Sequence, residues 1–353
     1  MLTALFGRRL RPGLLVAFGL VLSGFAGVAA AGAGAGEQEV NVYSFRQEQL
    51  IRPLLDAFTR ETGIAVHLVS GKDDALLERL KAEGANSPAD VLMTVDAGRL
   101  YRAVEAGLLQ PVRSERLETL VPPQYREPSG LWYALSVRAR PIMVAQARVA
   151  ADAPKSYLDL ADPKWQGRLC VRSSGSVYNQ SMLDAMIEHY GVEKTEQWAK
   201  GLVANFARPP AGGDREQIKA LAAGECDVAL ANTYYLGQMA GSKEADDREA
   251  AEAVSVIWPD QDGFGVHVNV SGAGVTRSAR NKENAARLLE FLASDAGQAI
   301  YAGEVYEYPL REGIAPSPIV AAWGTFKADT LEVARLGSHN AEAIRIADRA
   351  GWR

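Results

Sequence analysis

The chain has 353 residues, and its 43 acidic side chains outnumber its 38 Lys and Arg side chains, giving a formal net charge of −5. An acidic chain without a basic run is poorly suited to nucleic acid or to an anionic membrane surface, so neither is an expected partner. Once an N-terminal leader is set aside, about 320 residues remain, which exceeds one ordinary core and indicates two domains.

The N-terminal segment has the features of an export signal. A basic region with three arginines precedes an apolar core at Leu14–Val21, and Ala- and Gly-rich sequence with small-x-small cleavage patterns follows. The sequence therefore predicts a cleaved signal peptide over residues 1–31 and an exported protein. Removing three arginines and no acid shifts the net charge to about −8. An uncleaved membrane anchor is the alternative, although the second half of the segment is weakly hydrophobic for a span.

Strands and helices alternate beyond the leader at the spacing of parallel βαβ units. The first three such units are EVNVYS with QEQLIRPLLDAFTRETG, IAVHLVS with KDDALLERLKAEG, and ADVLMTVD with AGRLYRAVEAG. The first helix is predicted to end at Gly63, and its apolar residues recur at a helical period: Leu50, Ile51, Leu54, Leu55 and Phe58.

Two longer segments are predicted to cross between domains. LWYALSVRARPIMVAQ is predicted to be a strand that leaves the first domain, and GVHVNVSGAGV a strand that returns to it. Alternation resumes between them, and the tail from Pro316 is predicted to be helical. The expected fold class is α/β, a two-lobe clamshell in which two hinge strands join mostly parallel sheets flanked by helices. The predicted lobes are residues 37–137 with 263–312, and 138–262 with 313–353.

Several polar and aromatic residues follow predicted strands of both lobes. Ligands of open α/β sheets lie beyond the carboxyl ends of strands, close to helix N-termini, so these residues are expected to face one cleft. The candidates are Arg46, Gln47, Arg138, Ser173, Ser174, Gly175, Tyr178, Tyr234 and Tyr235.

Tyr178 and the adjacent pair Tyr234 and Tyr235 point to a metal. A phenol is neutral at pH 7, and a highly charged cation is what lowers its pKa sharply. The phenolate oxygen is a hard anionic ligand that suits Fe³⁺. The alternative is that these tyrosines line the cleft and stack on an organic ligand. Arg46 and Arg138 would bind a small anion or, equally, form salt bridges at the hinge.

Five segments resemble the periplasmic ferric-ion-binding proteins of bacterial iron ABC transporters, a type II solute-binding family also called bacterial transferrins. They are NVYSFRQEQLI, SPADVLMTVDAGRL, LSVRARPIMV, VRSSGSVYNQS and GECDVALANTYYLG. The resemblance implies a protein that binds Fe³⁺ with a synergistic anion such as carbonate and delivers it to an inner-membrane ABC permease. By that resemblance Tyr178, Tyr234 and Tyr235 are the phenolate ligands. The resemblance also implies a monomer that has no enzymatic activity.

The chain departs from many family members after the first YS-x-R. Those members have a histidine or His-Tyr there, and this chain has Gln47 and Glu48. It resembles the branch in which three tyrosines of one lobe bind iron, with Arg46 near the anion. Gln47 is therefore a doubtful ligand. Carbonate, citrate and phosphate all remain possible anions, with Arg138, Ser173, Ser174 and Gly175 as further anion contacts.

The histidines, serines and cysteines bear on the alternative functions and on a possible disulfide. The four histidines are scattered, and Ser173 and Ser174 have no histidine partner, so catalysis by a nucleophile has little support. The alternative function is a binding protein of the same fold for an organic solute or oxyanion, such as a polyamine or phosphonate. Export permits one disulfide, Cys170–Cys226, and two buried free thiols are the alternative.

Overall fold

A computed structural model describes residues 38–71, 74–149, 152–311 and 313–353. The predicted signal peptide, residues 1–31, lies outside the described residues. In chain order the strands are β1 (Glu39–Ser44), β2 (Ala65–Ser70), β3 (Val91–Thr94), β4 (Leu109–Gln110), β5 (Tyr133–Ala139), β6 (Ile142–Ala145), β7 (Leu169–Cys170), β8 (Val228–Leu230), β9 (Val254–Ile257) and β10 (Val268–Thr276).

The helices surround two separate sheets. They are α1 (Glu48–Thr62), α2 (Ala75–Glu83), α3 (Ala97–Glu105), α4 (Glu115–Leu120), α5 (Val177–Ala204), α6 (Asp214–Ala223), α7 (Thr233–Ala240), α8 (Ala245–Glu252), α9 (Lys282–Ala293), α10 (Asp295–Ile300), α11 (Pro318–Ala321) and α12 (Asn340–Ala350). None of these helices, within the described residues, is long and apolar enough to cross a membrane.

Helix α1 illustrates how local sequence determines an element. Its buried face is Ile51, Leu54, Leu55 and Phe58, at the spacing that the sequence predicts. The helix stops at Gly63, whose φ of 74° is left-handed and whose N–H donates to the Thr59 carbonyl. A side chain with a Cβ is disfavoured in that conformation, so glycine ends the helix and directs the chain into β2.

One strand runs against the others in each sheet. The first sheet has the order β2-β1-β3-β10-β4, with β5 also paired to β10. Its strands β1, β2 and β3 are mutually parallel, whereas β10 is antiparallel to β3, β4 and β5. The second sheet has the order β7-β8-β6-β9, in which β7 and β8 are parallel and β6 is antiparallel to β8 and β9.

The two strands that run against their neighbours, β6 and β10, are the first strands after the chain passes from one sheet to the other. The chain leaves the first sheet at the carboxyl end of β5 and begins the second sheet with β6. It returns from β9 to the first sheet with β10. Because the other strands end at the edges that face each other, a strand entering from that side must run in the opposite direction. We call the parts built on the first and second sheets the N-lobe and the C-lobe.

Two sequence predictions need correction. The crossing segment is not one continuous strand, because β5 ends before Arg140 and β6 begins after Pro141, which has no N–H to donate to a ladder. The tail from Pro316 is only partly helical, since residues 322–339 between α11 and α12 contain one short 3₁₀ turn, Val333–Arg335. Helix α12 packs against α5 of the C-lobe. The residue boundaries of the lobes stay a prediction.

The predicted disulfide is confirmed. Cys170 at the end of β7 is bonded to Cys226, just before β8, with a Cα–Cα distance of 5.9 Å. The bond joins residues 56 positions apart and ties the strand before α5 to the strand before α7.

We expect the variant Cys170→Ser/Cys226→Ser to lose about 2–5 kcal/mol of unfolding free energy, because the bond restricts a long loop in the unfolded chain. Urea unfolding of exported protein, with thiol-treated wild type as the matched control, measures this loss. Equal midpoints for the variant and the oxidised wild type, or two free thiols by mass spectrometry, would contradict the prediction.

Candidate metal centre

A cleft between the two lobes contains the largest group of the predicted site residues. Its cavity has a volume of about 370 Å³. Residues of both lobes line it: Phe45, Arg46, Gln47, Leu50, Val95 and Arg99 from the N-lobe, and Arg172, Ser173, Gly175, Ser176, Val177, Tyr178, Gly212, Tyr234 and Tyr235 from the C-lobe.

Tyr178 enters the cleft from the first turn of α5. The loop before this helix is held by Asn179, whose Nδ2 donates to the carbonyls of Arg172 and Ser173, each at 3.0 Å. The indole of Trp352, close to the end of the chain, donates to the same Arg172 carbonyl at 2.9 Å. Tyr178 is therefore presented by a loop that is fixed from two sides.

Tyr234 and Tyr235 lie in the first turn of α7, directly after β8. The sequence places this pair directly after a predicted strand, and the structure shows that a helix begins there. Successive helix residues are about 100° apart, so both rings reach the cleft side, with centroids 4.1 Å apart and planes inclined by 32°. The hydroxyls of Tyr178 and Tyr234 are 3.0 Å apart and share a hydrogen bond. All three predicted ligands thus meet at one place.

Burial keeps the hydroxyls of Tyr234 and Tyr235 neutral. Desolvation raises the pKa of Tyr234 above its usual value, and the nearby Tyr178 and Tyr235 raise it further. Desolvation likewise raises the pKa of Tyr235, followed by the charges of Tyr178 and Asp214. Without a cation in the cleft, these two hydroxyls stay protonated at neutral pH.

Guanidinium groups surround the tyrosines. The Cζ of Arg138 lies 5.5 Å from the ring centroid of Tyr178 and 5.9 Å from that of Tyr234. Arg172 and Arg140 lie 5.1 and 5.9 Å from the ring of Tyr178. Positive charge at this distance favours an ionised phenol, and so opposes the effect of burial.

Buried Asp214 anchors two of these arginines, and sequence reasoning missed it. Its carboxylate accepts from Nη1 of Arg140 and from Nη1 of Arg172, both at 3.2 Å. It also accepts from the backbone N–H of Asn232 at 2.7 Å, immediately before α7. Asp214 thereby ties the start of α7 to both arginines. Its position directly after two glycines, at the start of α6, was the available signal.

Arg46 and Arg138 share a buried carboxylate, Glu307, which sequence reasoning also missed. Nη2 of Arg46 donates to Glu307 at 2.6 Å and makes a short hydrogen bond to Ser271, while Nη1 of Arg138 lies 3.6 Å from Glu307. Desolvation raises the pKa of Glu307, but the attraction of Arg46 and Arg138 outweighs it and lowers that pKa overall. Arg46 reaches the cavity wall, whereas Arg138 lies behind the tyrosines and not among the lining residues.

Of the other residues predicted to contact the anion or the metal, some line the cavity and one does not. Ser173 and Gly175 line the cavity, and Oγ of Ser173 accepts from the Gly175 N–H at 3.1 Å. Ser174 is not among the lining residues, and its carbonyl accepts from Gln180. Gln47 is exposed on the cavity wall, where its amide oxygen accepts from Gln49.

Common metal-binding clusters are not found elsewhere in the described part of the chain. No group of three or more His, Cys, Asp or Glu side chains there is arranged to hold a metal ion. Three of the four histidines pair with surface or lobe carboxylates, His67 with Glu39, His189 with Asp329 and His339 with Glu188. The phenols of the cleft are therefore the metal-binding candidates.

Residues 86–320 match the family of bacterial extracellular solute-binding proteins. The chain belongs to this family. Iron uptake protein A1 of Synechocystis sp. is 49% identical over 317 residues, which cover 90% of this chain and 88% of the relative. This agreement confirms the resemblance predicted from the sequence.

Solved structures agree with the fold. A Trichodesmium protein in complex with iron and citrate is 47% identical, with a TM-score of 0.85 over 89% of this chain and all of that one. The ferric binding protein of Campylobacter jejuni is 36% identical, with a TM-score of 0.86 over 89% of this chain and all of that one. The predicted two-lobe α/β fold of type II solute-binding proteins is confirmed.

The buried pairing of Glu307 with Arg46 and Arg138 leads to a prediction about stability. We expect Glu307→Gln to lower the free energy of unfolding by about 3–5 kcal/mol, because two buried guanidiniums lose their shared carboxylate. The matched control is Glu48→Gln, which removes an exposed partner of Arg52 and should cost about 0–1 kcal/mol.

Urea unfolding as a function of pH checks this prediction. The folded-state pKa of Glu307 lies below its unfolded value of about 4.3, so its contribution to stability is present above that pH and is lost as pH falls through the folded-state pKa. The wild-type and Glu307→Gln curves should therefore converge in acid. Equal losses for the two variants at neutral pH would contradict the assignment.

Proposed function

We propose that this protein binds ferric iron through the phenolates of Tyr178, Tyr234 and Tyr235. The observation that carries the proposal is the convergence of three phenols from two helix N-termini in one cleft, with two hydroxyls 3.0 Å apart. The names of its relatives, iron uptake and ferric iron-binding proteins, support the same metal.

The chemistry of the donors favours Fe³⁺ over softer metals. Phenolate is a hard anionic oxygen ligand, and three phenolates balance three positive charges. Burial disfavours the ionised forms of Tyr234 and Tyr235, so only a cation with a strong field removes their protons at neutral pH. An organic solute or oxyanion does not require this arrangement of three tyrosines.

A small anion such as carbonate would complete the coordination of the iron. Arg46, Ser173 and Gly175 face the cavity beside Tyr178, where a helix N-terminus offers backbone N–H groups and positive potential. Arg138 lies behind the rings of Tyr178 and Tyr234, so we assign it to stabilising the phenolates rather than to contacting the anion. Gln47 is an uncharged side chain and is the weakest candidate for a ligand.

The two-lobe architecture suits a protein that captures iron and delivers it to a transporter. Closing them around the loaded cleft would bury the metal, and the closed form would be the one that an inner-membrane ABC permease receives. We assign the protein to the periplasm, exported by the predicted signal peptide, and acting as a monomer without enzymatic activity. A visible absorption band of the iron-loaded protein, orange to red from phenolate-to-iron charge transfer, distinguishes this function from binding of a polyamine or a phosphonate.

Removing one phenol oxygen should weaken iron binding while the fold survives. We expect Tyr235→Phe, Tyr178→Phe and Tyr234→Phe each to lower the affinity for iron and to reduce the visible band. Loss of a group that only orients a ligand costs about 10- to 100-fold in metal affinity, so loss of a ligand itself should cost more. The matched control is Tyr308→Phe, which removes a phenol oxygen that is buried outside the cleft and has no hydrogen-bond partner among the described residues. Wild-type affinity in all three cleft variants would exclude the phenolate site.

Iron binding should weaken as pH falls. Since the pKa values of Tyr234 and Tyr235 are raised in the metal-free protein, their protons must leave when iron binds, and acid reverses this step. We expect the coloured complex to bleach on mild acidification, and proton release to accompany loading. A pH titration of the visible band in bicarbonate buffer, with iron loading followed in a weakly buffered solution, measures both. A band that acid does not change would argue against phenolate ligands.

A further inference from the structure

The loop that presents Tyr178 has no side-chain cap of its own. Ser176 directly precedes α5, but its side chain makes no cap hydrogen bond, and its Oγ is buried without a hydrogen-bond partner among the described residues. Ser173 shapes the loop, because its Oγ accepts from the Gly175 N–H at 3.1 Å and its carbonyl accepts from the Ser176 N–H at 3.0 Å. These bonds lie within the loop, so its place in the C-lobe depends on other contacts.

One backbone oxygen of this loop, the Arg172 carbonyl, accepts from two side chains. Nδ2 of Asn179 donates to it at 3.0 Å, and the indole Nε1 of Trp352 donates to it at 2.9 Å. A carbonyl has two lone pairs, so this oxygen is fully used. Asn179 belongs to α5, and its bond ties the loop to its own helix. Trp352 is 180 residues away, and its bond ties the loop to a separate part of the C-lobe.

Trp352 is itself held firmly. Helix α12, which packs against α5, stops at Gly351, and the Trp352 N–H donates back to the Ala347 carbonyl at 2.9 Å. The indole is 1% exposed and meets the ring of Phe206 edge-on, with centroids 6.0 Å apart. The donor therefore has a fixed position relative to the body of the C-lobe.

The position of Tyr178 depends on this loop, whereas that of Tyr234 depends on another anchor. Tyr178 lies two residues after Ser176, and its hydroxyl is 3.0 Å from the Tyr234 hydroxyl. The start of α7, which carries Tyr234, is held instead by Asp214 through the Asn232 N–H at 2.7 Å. Two phenols that serve one ion must keep their spacing to within about 0.5 Å, so both anchors matter for binding.

We propose that Trp352 is a positioning residue of the metal centre, whose indole N–H holds the Arg172 carbonyl and thereby fixes where Tyr178 meets the ion. This inference rests on the proposed function. Trp352 does not line the cleft, so it acts through the loop and not on the metal. Partners that orient metal ligands in this way are worth about 10- to 100-fold in metal affinity.

The variant Trp352→Phe tests the role of the indole N–H. It removes the donor and keeps an aromatic ring beside Phe206. We expect the exported full-length variant to bind Fe³⁺ about tenfold more weakly than the wild type, and to release it faster into excess chelator. Affinity is measured by competition with a coloured chelator that is weak enough to resolve the variants, and unfolding in urea is recorded for each protein.

The matched control is Trp165→Phe. The Trp165 indole is also buried, at 1% exposure, but its Nε1 has no hydrogen-bond partner among the described residues and its ring does not line the cleft. The control therefore loses the same atoms from a buried C-lobe site without losing a hydrogen bond. We expect it to bind iron as the wild type does.

A double-mutant cycle distinguishes positioning from general loosening of the lobe. If Trp352 acts through Tyr178, then Trp352→Phe should cost little further affinity in the Tyr178→Phe protein, where the oriented oxygen is already missing. In the Tyr235→Phe protein the same change should still cost its full amount. A purely structural role would give the same cost in both backgrounds.

Three results would overturn the proposal: wild-type affinity and release rate in Trp352→Phe, an equal loss in Trp165→Phe, or an equal cost of Trp352→Phe in the two tyrosine backgrounds. Failure of the proposed function looks different. In that case the wild type binds no Fe³⁺, or Tyr178→Phe binds it as tightly as the wild type does, whatever residue stands at position 352.

Discussion

Burial of ionisable groups is the constraint on which the cleft depends. The same desolvation that raises the pKa of Tyr234 and Tyr235 also makes the arginines behind them costly unless a carboxylate accompanies them. Glu307 and Asp214 are buried for that reason, and each also bonds to backbone or side chains that fix the cleft. Without a cation, the hydroxyls of Tyr234 and Tyr235 are therefore neutral, and guanidinium groups lie around them.

The topology places these groups together. Because β10 enters the first sheet from the side of the cleft, it brings Ser271 beside Arg46 and Arg138, and the segment after α10 brings Glu307 to the same point. In the C-lobe, β7 and β8 are adjacent and parallel, so α5 and α7 start at the same sheet edge and their tyrosines meet. The disulfide links Cys170, at the carboxyl end of β7, to Cys226, just before β8, and so ties these two parts of the C-lobe together.

The sequence predicts those features that are local. The hydrophobic period and the glycine after the helix locate α1, and strand–helix alternation locates β1, β2 and β3. The rule that ligands lie at strand ends predicts that Tyr178, Tyr234 and Tyr235 face one cleft. The shared carboxylates were missed, because Arg46 and Glu307 are 261 residues apart and nothing in the local pattern pairs them. The division of the crossing strand at Arg140 and Pro141 was also missed, although proline within a strand is a local warning.

Tyr306 connects the Arg46–Arg138–Glu307 network to α7, the helix that begins with Tyr234 and Tyr235. It adopts φ of 62°, a strained value for a large side chain, and it directly precedes Glu307. Its ring lies against α7, where a Cβ at Gly237 would approach the Tyr306 Cβ to 2.7 Å, so only glycine permits this contact. Tyr308, two residues later, pairs with Val137 of β5 in the N-lobe. One short segment thus contacts the N-lobe sheet, the Arg46–Arg138 carboxylate and the helix of Tyr234 and Tyr235. Under the proposed function, closing the lobes about this segment would alter the surroundings of the phenols, and lobe closure and metal binding would then share one structural element.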